Sequence, residues 1–177
     1  MNLIEQLMGQ LNTQENTEKI SGAVGADQDS TKNALSNIIP ILTKALGNQD
    51  ANEMGNMLEQ AKQGSGNAQE MVSNLLGDKA NLIQQFLGKT TSMDSSQSSS
   101  FLNQVLPMVM GALGQKQQEE GLDNAQLSSA LNESNEKAAQ GNSQFSQLTA
   151  LLDKDGDGEI TDDLINMGKG VIGNFFK

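Results

Sequence analysis

The stretches "NIIPILTKALG", residues 37–47, and "NQVLPMVMGALG", residues 103–114, hold the only two prolines of the chain. Superposed on Pro40 and Pro107, which lie 67 residues apart, they match at most apolar positions, and both close on Ala-Leu-Gly. Self-similarity at a fixed offset is the mark of an internal repeat. Each stretch is apolar nearly all round, which suits a helix surrounded by other helices rather than one with a solvated face. Proline has no N–H to donate, so each helix is expected to kink at its proline or begin there. The repeat therefore predicts two related helical halves packed around a pair of central helices.

Working outward, the helical spacing recurs on both sides. Leu3, Leu7 and Leu11, with Ile4 and Met8 beside them, give "MNLIEQLMGQL" an apolar stripe at helical period. Asp50 with Glu53, and Asn67 with Glu70, each place an N-cap acceptor three positions before a carboxylate, so helices are expected to start there. Their stripes are Met54, Met57, Leu58 and Ala61, then Met71, Val72, Leu75 and Leu76. Gly77 ends the second, and Asp78 opens another with the stripe Leu82, Ile83, Phe86 and Leu87, ended by Gly88. The tract "TTSMDSSQSS" that follows is Ser-rich and poor in apolar residues, and reads as a flexible linker over 89–100. The expected organisation is a first half at 1–88 and a second at 101–177, together one globular, all-α multihelical bundle.

Composition narrows the function. Of 177 residues 36% are hydrophobic, enough to bury a core, and only 3% are aromatic, with few of the β-branched runs that mark strands. Acidic side chains number 22 against 11 basic, all of them lysine, for a net charge of −11. Without arginine there is no bidentate contact to phosphate or guanine, and a negative surface repels nucleic acid and anionic membrane. The chain has neither cysteine nor histidine. That removes disulfides, thiolate nucleophiles, the usual zinc ligands and the commonest general base, so a non-enzymatic role is expected. No signal peptide is legible around Glu5, and no apolar run is long enough to span a membrane, so the expected location is the cytoplasm, barring export without a cleaved leader.

Two constellations point to partners. Residues 20–35, "ISGAVGADQDSTKNAL", have the helix, Gly-containing turn and second helix of a helix-turn-helix reader, and would offer Ser30, Thr31, Lys32 and Asn33 to a groove. Asp27 and Asp29 stand at the same edge and oppose DNA, so an acidic regulator using this corner is the alternative reading. The terminal "LINMGKGVIGNFFK" carries Leu164, Ile165, Val171, Ile172, Phe175 and Phe176 among Gly168, Gly170 and Gly173. Such a helix can pack closely on its own domain, on a protein partner or on a second copy, or lie on a membrane, for which Lys169 and Lys177 alone are weak support.

The densest charge lies just before it. "DKDGDGEITDD", residues 153–163, sets six carboxylates in eleven positions. Its opening fits the D-x-D-x-D-G start of an EF-hand- or dockerin-like calcium loop: Asp153, Asp155 and Asp157 supply alternate side-chain oxygens, Gly158 allows the sharp turn, and Glu159 lends its backbone carbonyl. Leu164 stands where a bidentate glutamate is expected, so Asp162 or Asp163 must complete the shell. The expected ligand set for Ca2+ is Asp153, Asp155, Asp157, Glu159, Asp162 and Asp163.

Taken together, the short amino-terminal helix, "NIIPILTKALG", "NQVLPMVMGALG" and "LLDKDGDGEITDDLINMG" resemble the YidB-like family of bacterial domains of unknown function. The resemblance spans essentially the whole chain. It implies an all-helical fold with one helix enclosed by others and no established catalytic activity, and it carries Asp153, Asp155 and Asp157 over as acidic loop positions. The Gln- and Ser-rich tract near residue 95 has no counterpart in it. The function expected is a calcium-binding structural, interaction or self-assembly module.

Overall fold

The structure, a computed structural model, describes residues 3–64, 67–77 and 79–141. These form eight α-helices and no strand: α1 (Leu3–Leu11), α2 (Gln14–Val24), α3 (Gln28–Gly47), α4 (Ala51–Gln63), α5 (Ala68–Leu76), α6 (Lys79–Thr91), α7 (Ser95–Glu120) and α8 (Asn124–Gly141). Asn135, within α8, closes the first of two compact units of the chain. The division thus falls after residue 135 rather than in the Ser-rich tract.

Local signals place the helix starts. The carboxylate of Asp50 accepts the N–H of Asn52, and the side-chain carbonyl of Asn67 accepts that of Gln69, so α4 and α5 begin where the caps require. Gly77 takes φ 50° at the end of α5, a conformation closed to most L-residues. The stripes turn inward as their spacing demands: Leu3, Ile4, Leu7 and Leu11 of α1, Met54, Met57 and Leu58 of α4, and all four of Met71, Val72, Leu75 and Leu76 are buried. Met8, Ala61, Leu82 and Phe86 are only half-buried.

Helices α3 and α7 are the two central helices, and the repeat is written into their burial. Ile38, Ile39, Leu42 and Leu46 of α3, and Val105, Leu106, Val109 and Leu113 of α7, are all without solvent exposure. Burying a side chain of this size contributes about 1.5–3 kcal/mol, so these eight alone anchor the bundle. Both prolines lie inside their helices, not at the start. Each forgoes one backbone hydrogen bond, to the carbonyl of Ser36 or of Asn103, which surrounding packing makes tolerable.

The correspondence extends beyond the central pair. Helix α5 repeats the stripe of α1, α6 repeats the Ile20 and Val24 of α2 as Leu87 and Thr91, and α8 repeats the Met54 and Leu58 of α4 as Leu127 and Leu131. The packing is paired in the same way: α1 on α3 answers α5 on α7, α2 on α3 answers α6 on α7, and α2 on α7 answers α6 on α3. The first compact unit thus holds two similar helical repeats in tandem, α1–α4 and then α5 through the part of α8 that ends at Asn135.

Two expectations need correction. Helix α6 does not end at Gly88; it runs on to Thr91, whose buried hydroxyl donates to the Leu87 carbonyl at 2.6 Å. A Cβ at Gly88 would sit 3.1 Å from the Met93 carbonyl oxygen, so this glycine serves close approach of the next turn of chain rather than helix termination. The linker expected at 89–100 is likewise helix at both ends, with only Ser92, Met93 and Asp94 between α6 and α7. Asp94 explains why: its carboxylate accepts the N–H of Gln97 at 2.8 Å, and the Gln97 side chain accepts the N–H of Asp94 at 3.0 Å. This reciprocal cap starts α7 despite the serines.

Candidate functional site

The helix-turn-helix-like corner is real as local geometry. Helix α2 ends at Gly25, whose φ of 72° reverses the chain, and Asp27 caps α3 by accepting the N–H of Ser30 at 2.7 Å. That bond, with a further one from the Ser30 hydroxyl, holds the Asp27 carboxyl below the usual aspartate range. As a reading edge the corner is poorly made. Thr31 is fully buried and its hydroxyl is committed to the Asp27 carbonyl at 2.8 Å, so of the four residues offered to a groove only Lys32 and Asn33 stand exposed. Lys19 on α2 is paired with Glu15 at 2.7 Å. The turn is also roofed, because the Gln97 side-chain amide of α7 donates to the Gly25 carbonyl. With Asp27 and Asp29 on the same edge, the local field is that of the chain as a whole, unfavourable to phosphate.

A second arrangement, which sequence reading missed, is the seat of α8. Leu127 and Leu131 are fully buried on one face of this helix, and the polar residues that follow are buried with them: Ser134 at 4% and Asn135 at 6% exposure. Every partner they find belongs to the first repeat. The Gly47 carbonyl at the end of α3 accepts from the Ser128 hydroxyl at 2.8 Å and from the Asn132 side-chain amide at 3.1 Å. The single Thr43 hydroxyl proton is shared between the Pro40 carbonyl at 2.9 Å and the Asn135 side-chain carbonyl at 3.2 Å, and the Leu3 N–H of α1 donates to the Ser134 hydroxyl at 3.1 Å. Asn135 Nδ2 remains buried without a partner, a cost of about 1–3 kcal/mol. The absent Cβ of Gly47 makes the approach possible, since one there would collide with the Asn132 side chain. In the sequence these residues look like an ordinary solvated helix face; only the glycine at the same place in both repeat elements signals a close crossing.

The six carboxylates expected to hold calcium, Asp153, Asp155, Asp157, Glu159, Asp162 and Asp163, lie outside the described residues, as does the terminal helix expected over 164–176. Among the described residues no three acidic side chains converge where they could hold a metal ion. None of the described helices is long and apolar enough to cross a membrane.

Fold and site together define an all-α protein built from a duplicated helical unit, each copy centred on a proline-containing helix. The chain belongs to the bacterial protein family of unknown function DUF937, which matches it twice, over residues 5–57 and again over 50–117. The first match runs from α1 into α4 and contains Pro40; the second runs from the cap of α4 into α7 and contains Pro107. The two matches overlap in α4, and each contains one of the proline-containing central helices, while α8 lies outside both. No curated protein and no solved structure matches the chain.

Proposed function

We propose that this protein is a non-enzymatic, calcium-binding structural or interaction module of the YidB-like kind, working in the cytoplasm. The observation that carries the reading is the spacing "DKDGDG", which places Asp153, Asp155 and Asp157 at alternate positions before Gly158, the arrangement that brings side-chain oxygens to one point around a hard cation. Glu159 contributes its carbonyl, and Asp162 or Asp163 closes the shell in place of the glutamate that Leu164 replaces. Net charge supports a cationic ligand over an anionic one. Flexible carboxylate oxygens suit calcium better than magnesium, which demands tight octahedral geometry. The loop fixes the entry of the terminal "LINMGKGVIGNFFK" helix, which then serves a protein partner or a second copy.

Calorimetry of the full chain with each ion tests this. Calcium is expected to bind with a dissociation constant of roughly 10⁻⁵ to 10⁻³ M, magnesium more weakly. At a hundredfold excess over that constant the folded state gains about 2.7 kcal/mol if the unfolded chain does not bind. Asp153→Asn with Asp157→Asn should abolish the calcium-dependent rise in Tm. A rise that survives the double substitution places the ion elsewhere and removes the calcium reading.

A further inference from the structure

We propose that α8 is an exchangeable helix, and that the partner it fits is the α8 seat of a second copy of this chain. The two repeats already exchange their last helices inside one molecule. Helix α4 follows α3 of the first repeat, lies in the overlap where the second family match begins, and packs along α7, while α8 follows α7 yet bonds to Gly47, Thr43 and Leu3 of the first repeat. A fourth helix in this architecture is therefore always given to another repeat.

For α4 the chain makes that gift permanent, because α5 follows directly and packs on the same α7. Helix α8 has only one tether to the helices before it, the turn at Gly121, Leu122 and Asp123, where Gly121 takes φ 64°. Its bonds go to the first repeat, apart from one beside the turn where the Gln117 side-chain amide of α7 donates to the Asn124 side-chain carbonyl at 2.7 Å, and α8 from another molecule meets the same set of partners. Exchange then changes only the three-residue turn and the translational freedom of the chains, the condition under which swapped dimers form.

The seat also differs in how firmly it holds. Helix α4 is held by Met54, Met57 and Leu58, with no hydrogen bond needed to fix it. Helix α8 buries two leucines and relies on directional bonds to Ser128, Asn132, Ser134 and Asn135, one of which leaves Asn135 Nδ2 unpaired. Hydrogen bonds traded for water contribute only about 0.5–1.5 kcal/mol each, so α8 gives up less on release than its count of bonds suggests.

The chain contains no cysteine, which makes the test direct. Full-length Thr43→Cys and full-length Asn135→Cys are mixed in denaturant, refolded together in chelator so that calcium plays no part, and oxidised. A disulfide between the two chains forms only when α8 of one occupies the seat of the other. The same two substitutions in one chain are the control that the seat geometry closes the bond; Leu3→Cys with Ser134→Cys is the second pair if it does not. Exchange predicts an interchain band whose fraction rises about tenfold for a tenfold rise in concentration while dimer is the minor species. It also predicts an unsubstituted dimer of twice the monomer mass by light scattering. Monomer at every concentration overturns the proposal. So does a dimer that gives no interchain bond while the control closes, since that dimer uses another surface. Either failure leaves the calcium reading untouched.

Discussion

Helix α3 places Thr31, Ala34 and Leu35 where α7 places Ser98, Phe101 and Leu102, and all six side chains are fully buried. The pattern of what points inward is kept between the repeats while the volume at each position is not. The capping residues agree too, Asp27 for α3 and Asp94 for α7. Divergence is concentrated at the ends, where Gly47 meets Asn132 of a polar helix and Gly114 meets the aliphatic stem of Lys62, 2.8 Å from where its Cβ would be. A duplicated frame thus preserves burial and capping, which each half needs to fold, and lets the crossings between halves specialise.

The largest effects test whether both central helices bear the core equally. Leu35→Ala and Leu102→Ala should each cost about 2–5 kcal/mol in denaturant unfolding, and Phe101→Ala about 3–5. A cost near zero at either leucine would mean that its helix is not central.

The two equivalent glycines should part company. Gly47→Ala pushes against Asn132, which cannot retreat without losing its bond to the Gly47 carbonyl, and should cost about 1–3 kcal/mol. Gly114→Ala meets only the flexible end of an exposed lysine and gains up to about 1 kcal/mol of helix propensity, so it should be neutral or stabilising. Equal losses of Tm for the two variants would contradict the difference drawn between the crossings.

A smaller contrast lies one turn into each central helix. The Thr31 hydroxyl bonds the Asp27 carbonyl, whereas the equivalent Ser98 Oγ is buried with no partner. Thr31→Val should therefore cost about 0.5–1.5 kcal/mol, and Ser98→Ala should stabilise by up to about 1. Smallest is the pH response at the first cap. Because Asp27 titrates below its ordinary value when folded, its contribution is present in full above the unfolded aspartate pKa and lost as pH falls through the lower, folded one. Amide exchange at Ser30 should accelerate on acidification through that window relative to the Asp27→Asn variant, whose side chain still caps but does not titrate.

Much of this fold was legible because apolar period and capping are local. The Pro40 and Pro107 segments disclosed the repeat, and stripes such as Met71, Val72, Leu75 and Leu76 fell inward as spaced. The Ser-rich tract was misread because composition was weighed above position: Asp94 and Gln97 spell a reciprocal cap three residues apart, and that signal outranks the serines around it. Gly88 was misread because a glycine that admits a neighbouring backbone looks the same in sequence as one that ends a helix. The α8 seat was legible only in the shared glycine at Gly47, since Ser128, Asn132 and Asn135 are indistinguishable from a solvated face until Gly47, Thr43 and Leu3 are brought beside them.

The central claim is that α3 and α7 form one paired core shared by two repeats, and native-state hydrogen exchange of the full chain tests it most directly. The account predicts that residues 38–47 and 105–114 are the most protected backbone, opening together at the free energy of global unfolding, with the connection at Ser92, Met93 and Asp94 exchanging far faster. If either proline segment exchanged as fast as that connection, or if the two opened at separate free energies, the repeats would be independent domains and the paired core would be wrong.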